Sequence, residues 1–282
     1  MIIASMTSFP ARMELVPLAY GHFMRSQTLK CDKYVLWLSR AEFNGEKSVE
    51  ELGLSDLVNI GLEIHWCDED SKIHIRHNSL KLWPNDYNLI IDEDLYYPVT
   101  YTEELINAAK EYPGCVISYF SSIEIFTGYR KFYLPRIKKP SWYNKFNGGL
   151  VCFPPGTFPH YCFKYSDIRD IICPYHDETW LNLFLKYQGG KVYGVHKMDW
   201  DSIEHIHLEK KILHLHDTHS GKGQKYTFDA VQFNQVLFVF PELLKMYKKL
   251  ALGLYLLFDR KEKDRIRKSY REIKIDNQEK GY

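Results

Sequence analysis

The chain has 282 residues, 45% of them hydrophobic and 26% charged, which supplies a sizeable core for one large domain or two intimate halves. With 37 Lys and Arg against 36 Asp and Glu, its formal net charge of +1 excludes a global basic field and with it general nucleic-acid coating. No run approaches the ~18 apolar residues of a membrane span, and six cysteines without a CxxC pair predict reduced, buried thiols of a cytoplasmic protein.

Residues 1–6 form a short apolar run closed by Thr7-Ser8-Phe9-Pro10, which predicts a strand followed by a loop. The run has no basic leader and no long apolar stretch, so it does not read as a secretion signal. A helix is expected over 16–27. Residues 34–38, 61–66 and 88–91 read as buried strands, the last running directly into Asp92-Glu93-Asp94. Residues 102–111 have helical spacing with Thr100 or Thr102 as cap, and 114–119 is a fifth strand. This alternation over about the first 120 residues predicts an α/β class with a mixed, mostly parallel sheet and helices on both faces. The glycine-rich dinucleotide fingerprint and the phosphate loop are both missing from the sequence.

Residues 120–147 mix aromatic and basic side chains and read as strands or loops over a cleft. Residues 147–156 predict a turn, a short strand and a rigid turn; 177–187 a helix; 191–194 a late strand. A polar, histidine-rich segment covers 199–226, and 228–244 resumes helical patterning. Between Lys245 and Lys274 there are 11 Lys or Arg and 4 Asp or Glu around the apolar run 250–258. An apolar stripe with basic flanks suits the surface of an anionic membrane, each exposed base adding ~1 kcal/mol of attraction. A C-terminal helix packed on the body with a solvated basic end accounts for the same residues.

Three adjacent carboxylates at a strand end repel one another unless a cation or a cationic ligand compensates them. Asp92 and Asp94 can converge on one hard divalent ion that keeps positions open for water and phosphate oxygens. A solvent-facing acidic loop explains the triplet without a ligand.

The block IIDEDLYYP at 90–98 resembles the strand-plus-acidic motif of nucleotide-sugar glycosyltransferases with the GT-A fold. SMTSFPARM at 5–13, Gln27-Thr28, VLWLS at 35–39, NGGLVCFPPG at 147–156 and CPYHDETWLNLFLKYQGGKV at 173–192 resemble further blocks of a bacterial surface-polysaccharide group, in the same order. The resemblance covers about residues 1–200, with a fainter likeness at 228–232. It implies a catalytic domain over 1–244, with a nucleotide-sugar half to about 120 and an acceptor half beyond, and a basic helical extension over 245–282. It also implies transfer of a sugar from a UDP donor to a glycan acceptor, lipid-linked and met at the inner face of the cell membrane.

By this resemblance Thr7, Ser8, Phe9 and Arg12 lie beside the nucleotide. Asp92 and Asp94 hold Mn²⁺ or Mg²⁺ against the donor diphosphate, with Glu93 in the variable middle of the motif. Tyr97-Pro98 close the donor edge, and Gly148 and Gly149 let the sugar approach the backbone. Both glycines are equally explained by a turn needing positive φ. Glu178 is the base of an inverting reaction, with Asp177 positioning it or meeting the acceptor or metal. Helix capping explains the same acidic pair.

Lys72, Arg76 and Arg130 are candidates to assist the leaving group. His214 and His216, on one face of a strand, and His219 are candidates to complete the metal shell, against a structural role for these rings. Trp142 and Trp180 are candidate acceptor platforms, among further aromatics such as Phe146; core packing is the competing reading of Trp180. A nucleotidyltransferase would carry an early Gly-rich loop with Arg and Lys, where this chain has TSFPAR. A non-catalytic glycan-binding protein would bind sugar without metal and without need of Asp92 or Asp94.

Overall fold

A computed structural model describes residues 1–126, 131–206, 232–233, 235–237 and 239–243. The chain forms two compact units that interleave along the sequence. The first contains residues 1–123, 135–158 and 190–213; the second contains 124–134, 159–189 and the residues from 214 onward.

In the first unit the strands are β1 (Ile2–Thr7), β2 (Lys33–Ser39), β3 (Leu62–Cys67), β4 (Tyr87–Ile91), β5 (Leu95–Tyr96) and β6 (Cys115–Phe126), whose last residues pass into the second unit. Then come β7 (Lys131–Pro135), which belongs to the second unit up to Leu134, and in the first unit β8 (Lys145–Phe146), β9 (Leu150–Phe153), β10 (Lys191–Lys197) and β11 (Glu204–His205). The α-helices are α1 (Val16–Ser26), α2 (Arg40–Phe43), α3 (Ser55–Asn59), α4 (Ser79–Leu82) and α5 (Tyr101–Glu111), followed in the second unit by α6 (Ser166–Ile172) and α7 (Asp177–Tyr187).

The main sheet has the order β10-β6-β9-β4-β1-β2-β3, with β7 and β8 also paired to β6. Strands β3, β2, β1 and β4 are parallel, as are β6 and β10, while β9 runs antiparallel between the two blocks. This is the mixed, mostly parallel α/β sheet expected from the sequence. The chain runs outward from β1 through β2 to β3 and then returns to β4 on the other side of β1. Ligands of open α/β sheets collect at such a reversal, outside the carboxyl ends of the strands. Thr7, Ser39 and Asp92 all lie at those ends.

Side-chain alternation builds a core on each face. Ala4, Met6, Leu36, Leu38, Leu89 and Ile91 join Val16, Ala19, Tyr20, Phe23 and Met24 of α1 and Tyr101, Leu105 and Ala109 of α5. The opposite face carries Ile3, Val35 and Trp37 against Ile75, which sits on a 3-10 helix over Lys72–Asn78. Each fully buried large side chain contributes about 1.5–3 kcal/mol. The Tyr20 hydroxyl, buried among them, donates to the Ala4 carbonyl at 2.8 Å and accepts from Val35 N at 2.9 Å, which pins α1 to both β1 and β2.

The expected cap of α5 is corrected by the structure. Thr100 occupies the cap position but makes no side-chain bond to the helix backbone. Gln27, buried just beyond α1, takes that part: its Oε1 accepts from Thr102 N at 3.0 Å while its Nε2 donates to the Pro98 carbonyl at 2.9 Å. One amide thus ties the start of α5 to the segment that follows the acidic triplet. Strands β6 and β10 also run further than expected, because they pair with each other over most of their length.

All six cysteines are thiols outside any disulfide, and five are buried. Among the described residues no helix is long and apolar enough to cross a membrane. The basic tail from 245 onward lies outside the described residues.

Candidate active site

The sheet of the first unit delivers the acidic triplet immediately after β4. Its setting is built by three other segments. After β1, Pro10 opens a 3-10 helix over Pro10–Leu15, where its fixed φ suits a first helical position. Arg12 N donates to the Phe9 carbonyl at 2.9 Å, so the turn is tight. It sends the Arg12 guanidinium to the triplet, with Nη1 2.9 Å from Glu93 Oε1 and Nη2 2.7 Å from Asp94 Oδ2. From the 3-10 helix before α4, Arg76 pairs through Nη1 with Asp92 Oδ1. The side chains of Arg12 and Arg76 are only 8% and 4% exposed, so both cations are inside the protein wall.

The third segment is the turn before β9. An antiparallel register pairs Ile91 with Leu150, which sets Asp92 opposite Gly149. A Cβ on Gly149 would lie 1.8 Å from Asp92 Oδ2. The missing side chain therefore makes room for this carboxylate. Neither Gly148 nor Gly149 is among the positive-φ glycines, so a left-handed turn does not explain them.

Tyr97 is a brace below the motif, and its 2% exposure does not suit it to close an open edge as expected. Its hydroxyl accepts from Asp92 N at 2.6 Å and donates to the Gly149 carbonyl at 2.7 Å. Burial, with Asp92 adding to it, pushes the Tyr97 pKa well above its ordinary value and keeps this donor protonated. The ring packs edge-on against Phe23 and Tyr101. A second small ladder joins β5 to β11, and Ile206 N donates to the Asp94 carbonyl at 2.9 Å. The histidine-rich segment thus begins alongside the triplet at His205. His214, His216 and His219 lie outside the described residues, as does Arg130.

The electrostatics are uneven across the three acids. Burial pushes Glu93 up to about 7; Arg12 opposes that rise, while Asp94 and Asp92 add to it. Burial also disfavours the Arg12 charge, but Glu93, Asp94 and Asp92 outweigh it and hold the guanidinium pKa above its usual value. The two shifts are compatible, since one guanidinium faces several carboxylates and Glu93 is the most enclosed of them.

Asp92 and Asp94 suit a divalent ion that is shared with phosphate oxygens and water, because one or two carboxylates suffice for such an ion. Both side chains keep some exposure, 27% and 20%. Among the described residues no group of three or more His, Cys, Asp or Glu is placed to hold a metal by itself. The two carboxylates fit a hard divalent ion that keeps positions open for other ligands.

Other expected residues fall as follows. Thr7 Oγ1 donates to the Trp37 carbonyl at 2.9 Å, and Ser8 Oγ is buried without a hydrogen-bond partner among the described residues. Lys72 pairs with Asp70 and Glu42 instead of the triplet. Trp142 is half-buried and stacks on exposed Tyr143 at 4.3 Å and 28°. Phe146 is fully buried and belongs to the core.

In the second unit α7 spans the expected residues, Asp177–Tyr187. Asp177 is buried and its Oδ1 accepts from Glu178 N at 2.9 Å, a first-turn helix contact, while Glu178 is half-buried. The acceptor role expected of Trp180 is corrected: the ring is fully buried, with its centroid 4.6 Å from that of Phe184 and 5.7 Å from that of Phe240. The helix turns this face into an aromatic core.

No family model matches the chain, and no curated protein matches it. Two solved structures of S. aureus TarS 1–349 are similar in backbone. The complex with UDP gives 11% identity and a TM-score of 0.43, covering 70% of this chain and 58% of that one. The complex with UDP-GlcNAc gives 11% identity and a TM-score of 0.49, covering 94% of this chain and 78% of that one.

Proposed function

We propose that the protein is a metal-dependent glycosyltransferase that moves a sugar from a UDP donor to a glycan acceptor in bacterial surface-polysaccharide synthesis. The observation that carries this reading is the acidic triplet itself. It stands at the carboxyl end of β4 beside the reversal of strand order, with Asp92 seated against Gly149 and two buried arginines at hand. Carboxylates that suit a cation and guanidiniums that suit phosphate are together the groups a nucleoside diphosphate requires.

Within this reading Asp92 and Asp94 would hold Mn²⁺ or Mg²⁺, which would supply positive charge against the diphosphate leaving group. Tyr97 and Gly149 keep Asp92 in place. The acceptor hydroxyl oxygen bonds to the anomeric carbon as the bond from that carbon to the diphosphate oxygen breaks. Its proton passes to a carboxylate, assigned to Glu178. That role rests on the resemblance of the CPYHDETW block. Direct displacement of this kind inverts the anomeric centre. The stacked rings of Trp142 and Tyr143 suit the flat face of a sugar, and Trp142 is the acceptor platform we retain. A lipid-linked acceptor at the inner membrane face, met through the basic tail, completes the proposal.

The test is a panel of nucleotide sugars incubated with purified protein and Mn²⁺, with product anomers read by NMR. Transfer from a UDP-sugar with inversion is the expected result. Turnover of a nucleoside triphosphate with a sugar phosphate, or metal-independent sugar binding without transfer, would overturn it.

A further inference from the structure

Cation capture at the triplet depends on charges that are already present. Asp92, Glu93 and Asp94 carry three carboxylates, and Arg12 and Arg76 bring two guanidiniums into direct contact with them. With all three acids ionised, these five groups leave a formal charge of −1, where the acidic motif alone would present −3. The guanidiniums come from two separate 3-10 segments and are nearly enclosed, so they are fixed parts of the wall. A divalent ion approaching the free protein meets carboxylates that are already paired, and pairing inside a protein is much less screened than at the surface.

We propose that Arg12 and Arg76 are resident counter-ions that make cation binding conditional on a nucleoside diphosphate. A guanidinium fork pairs with phosphate as well as with carboxylate. The diphosphate therefore offers both arginines a further partner and lowers the cost of sharing Asp92 and Asp94 with a cation. Mn²⁺ alone binds weakly, UDP alone binds weakly, and each tightens the other by the same factor. This inference rests on the donor reading above, but its first arm uses the metal alone.

Mn²⁺ titration followed by electron paramagnetic resonance supplies the test, since it counts free ion and needs no turnover. In the wild-type protein, saturating UDP is expected to tighten Mn²⁺ binding by about tenfold or more. Without UDP, Arg76→Met is expected to tighten Mn²⁺ by about tenfold, because Asp92 loses its competing partner, while Arg76→Lys stays within about threefold of wild type. Arg12→Met reads the same effect at Asp94 and decides the matter if Arg76→Met does not fold. Folded Met variants with unchanged affinity for Mn²⁺ alone would overturn the proposal. If neither Met variant folds, the wild-type comparison decides: equal Mn²⁺ affinity with and without UDP overturns it. If UDP does not bind even with Mn²⁺ present, the donor reading fails, yet tighter Mn²⁺ binding by the Met variants still upholds the counter-ion role.

Discussion

Two acidic clusters in this chain look alike in sequence and are held in different ways. Asp92-Glu93-Asp94 follows a strand, and each of its carboxylates meets an arginine delivered from a distant segment. Asp177-Glu178 opens a helix, and the Asp177 contact described is with the next backbone N–H. The first cluster is fixed by tertiary structure, whereas the second also has a donor within its own helix turn. A strand end lends no donors to its carboxylates, so a charged triplet there needs partners from elsewhere. A helix N-terminus supplies donors locally.

That contrast can be broken most directly at the triplet. Asp92→Asn/Asp94→Asn should cut the transferase turnover of the folded protein by about 10³-fold, about 4 kcal/mol of barrier, and should also lower the melting temperature, because the buried Arg12 and Arg76 lose charge partners. Full activity in this variant would remove the metal assignment. Next in size, Trp180→Ala should destabilise the protein by about 3–5 kcal/mol, because a completely buried ring leaves a cavity. Trp142→Ala should leave denaturant stability nearly unchanged and raise the acceptor KM. Equal stability losses at both would show that Trp142 is also core.

At the helix, Glu178→Gln should lower kcat by about 10²-fold with donor affinity retained, in the range general base catalysis contributes. A kcat close to wild type would return Glu178 to a helix-terminal role. Tyr97→Phe removes the hydroxyl between Asp92 N and the Gly149 carbonyl and should cost about 1–3 kcal/mol in chemical denaturation. The smallest effect is expected at Cys31, whose pKa burial pushes up to about 12. With so little thiolate at pH 8, iodoacetamide should leave this residue unmodified in the native protein, and rapid labelling there would show that the core opens.

Much of the fold is legible in the residues because its signals are local. Buried parallel strands are apolar runs, and the helix over Asp177–Tyr187 declares itself by spacing and by acids in its first turn. The acidic triplet is legible for the same reason. Its surroundings are legible only in part. Arg76 is one of three basic candidates for the leaving group and Gly149 one of two glycines expected at the sugar, but the pairing of Arg76 with Asp92 and the seating of Asp92 on Gly149 emerge only from the folded chain. Gln27 could not be identified as a helix cap from its neighbours, since the helix it caps begins far along the chain. Trp180 misleads in the opposite sense: an aromatic beside an acidic pair invites a sugar-stacking role, but the helix phase buries it.

The antiparallel pairing of β9 with β4 has a wider consequence. Because Ile91 faces Leu150 and Asp92 therefore faces Gly149, the spacing between them along the chain is irrelevant to their meeting. Insertions or deletions in the turns that join α5, β6, β7 and β8 can be absorbed outside the ladder without moving the carboxylate. A slip of a single rung toward Leu150 would instead bring a side chain against Asp92. Those turns are thus free to diversify in length, while the gauge that seats the acid stays fixed by the paired strands.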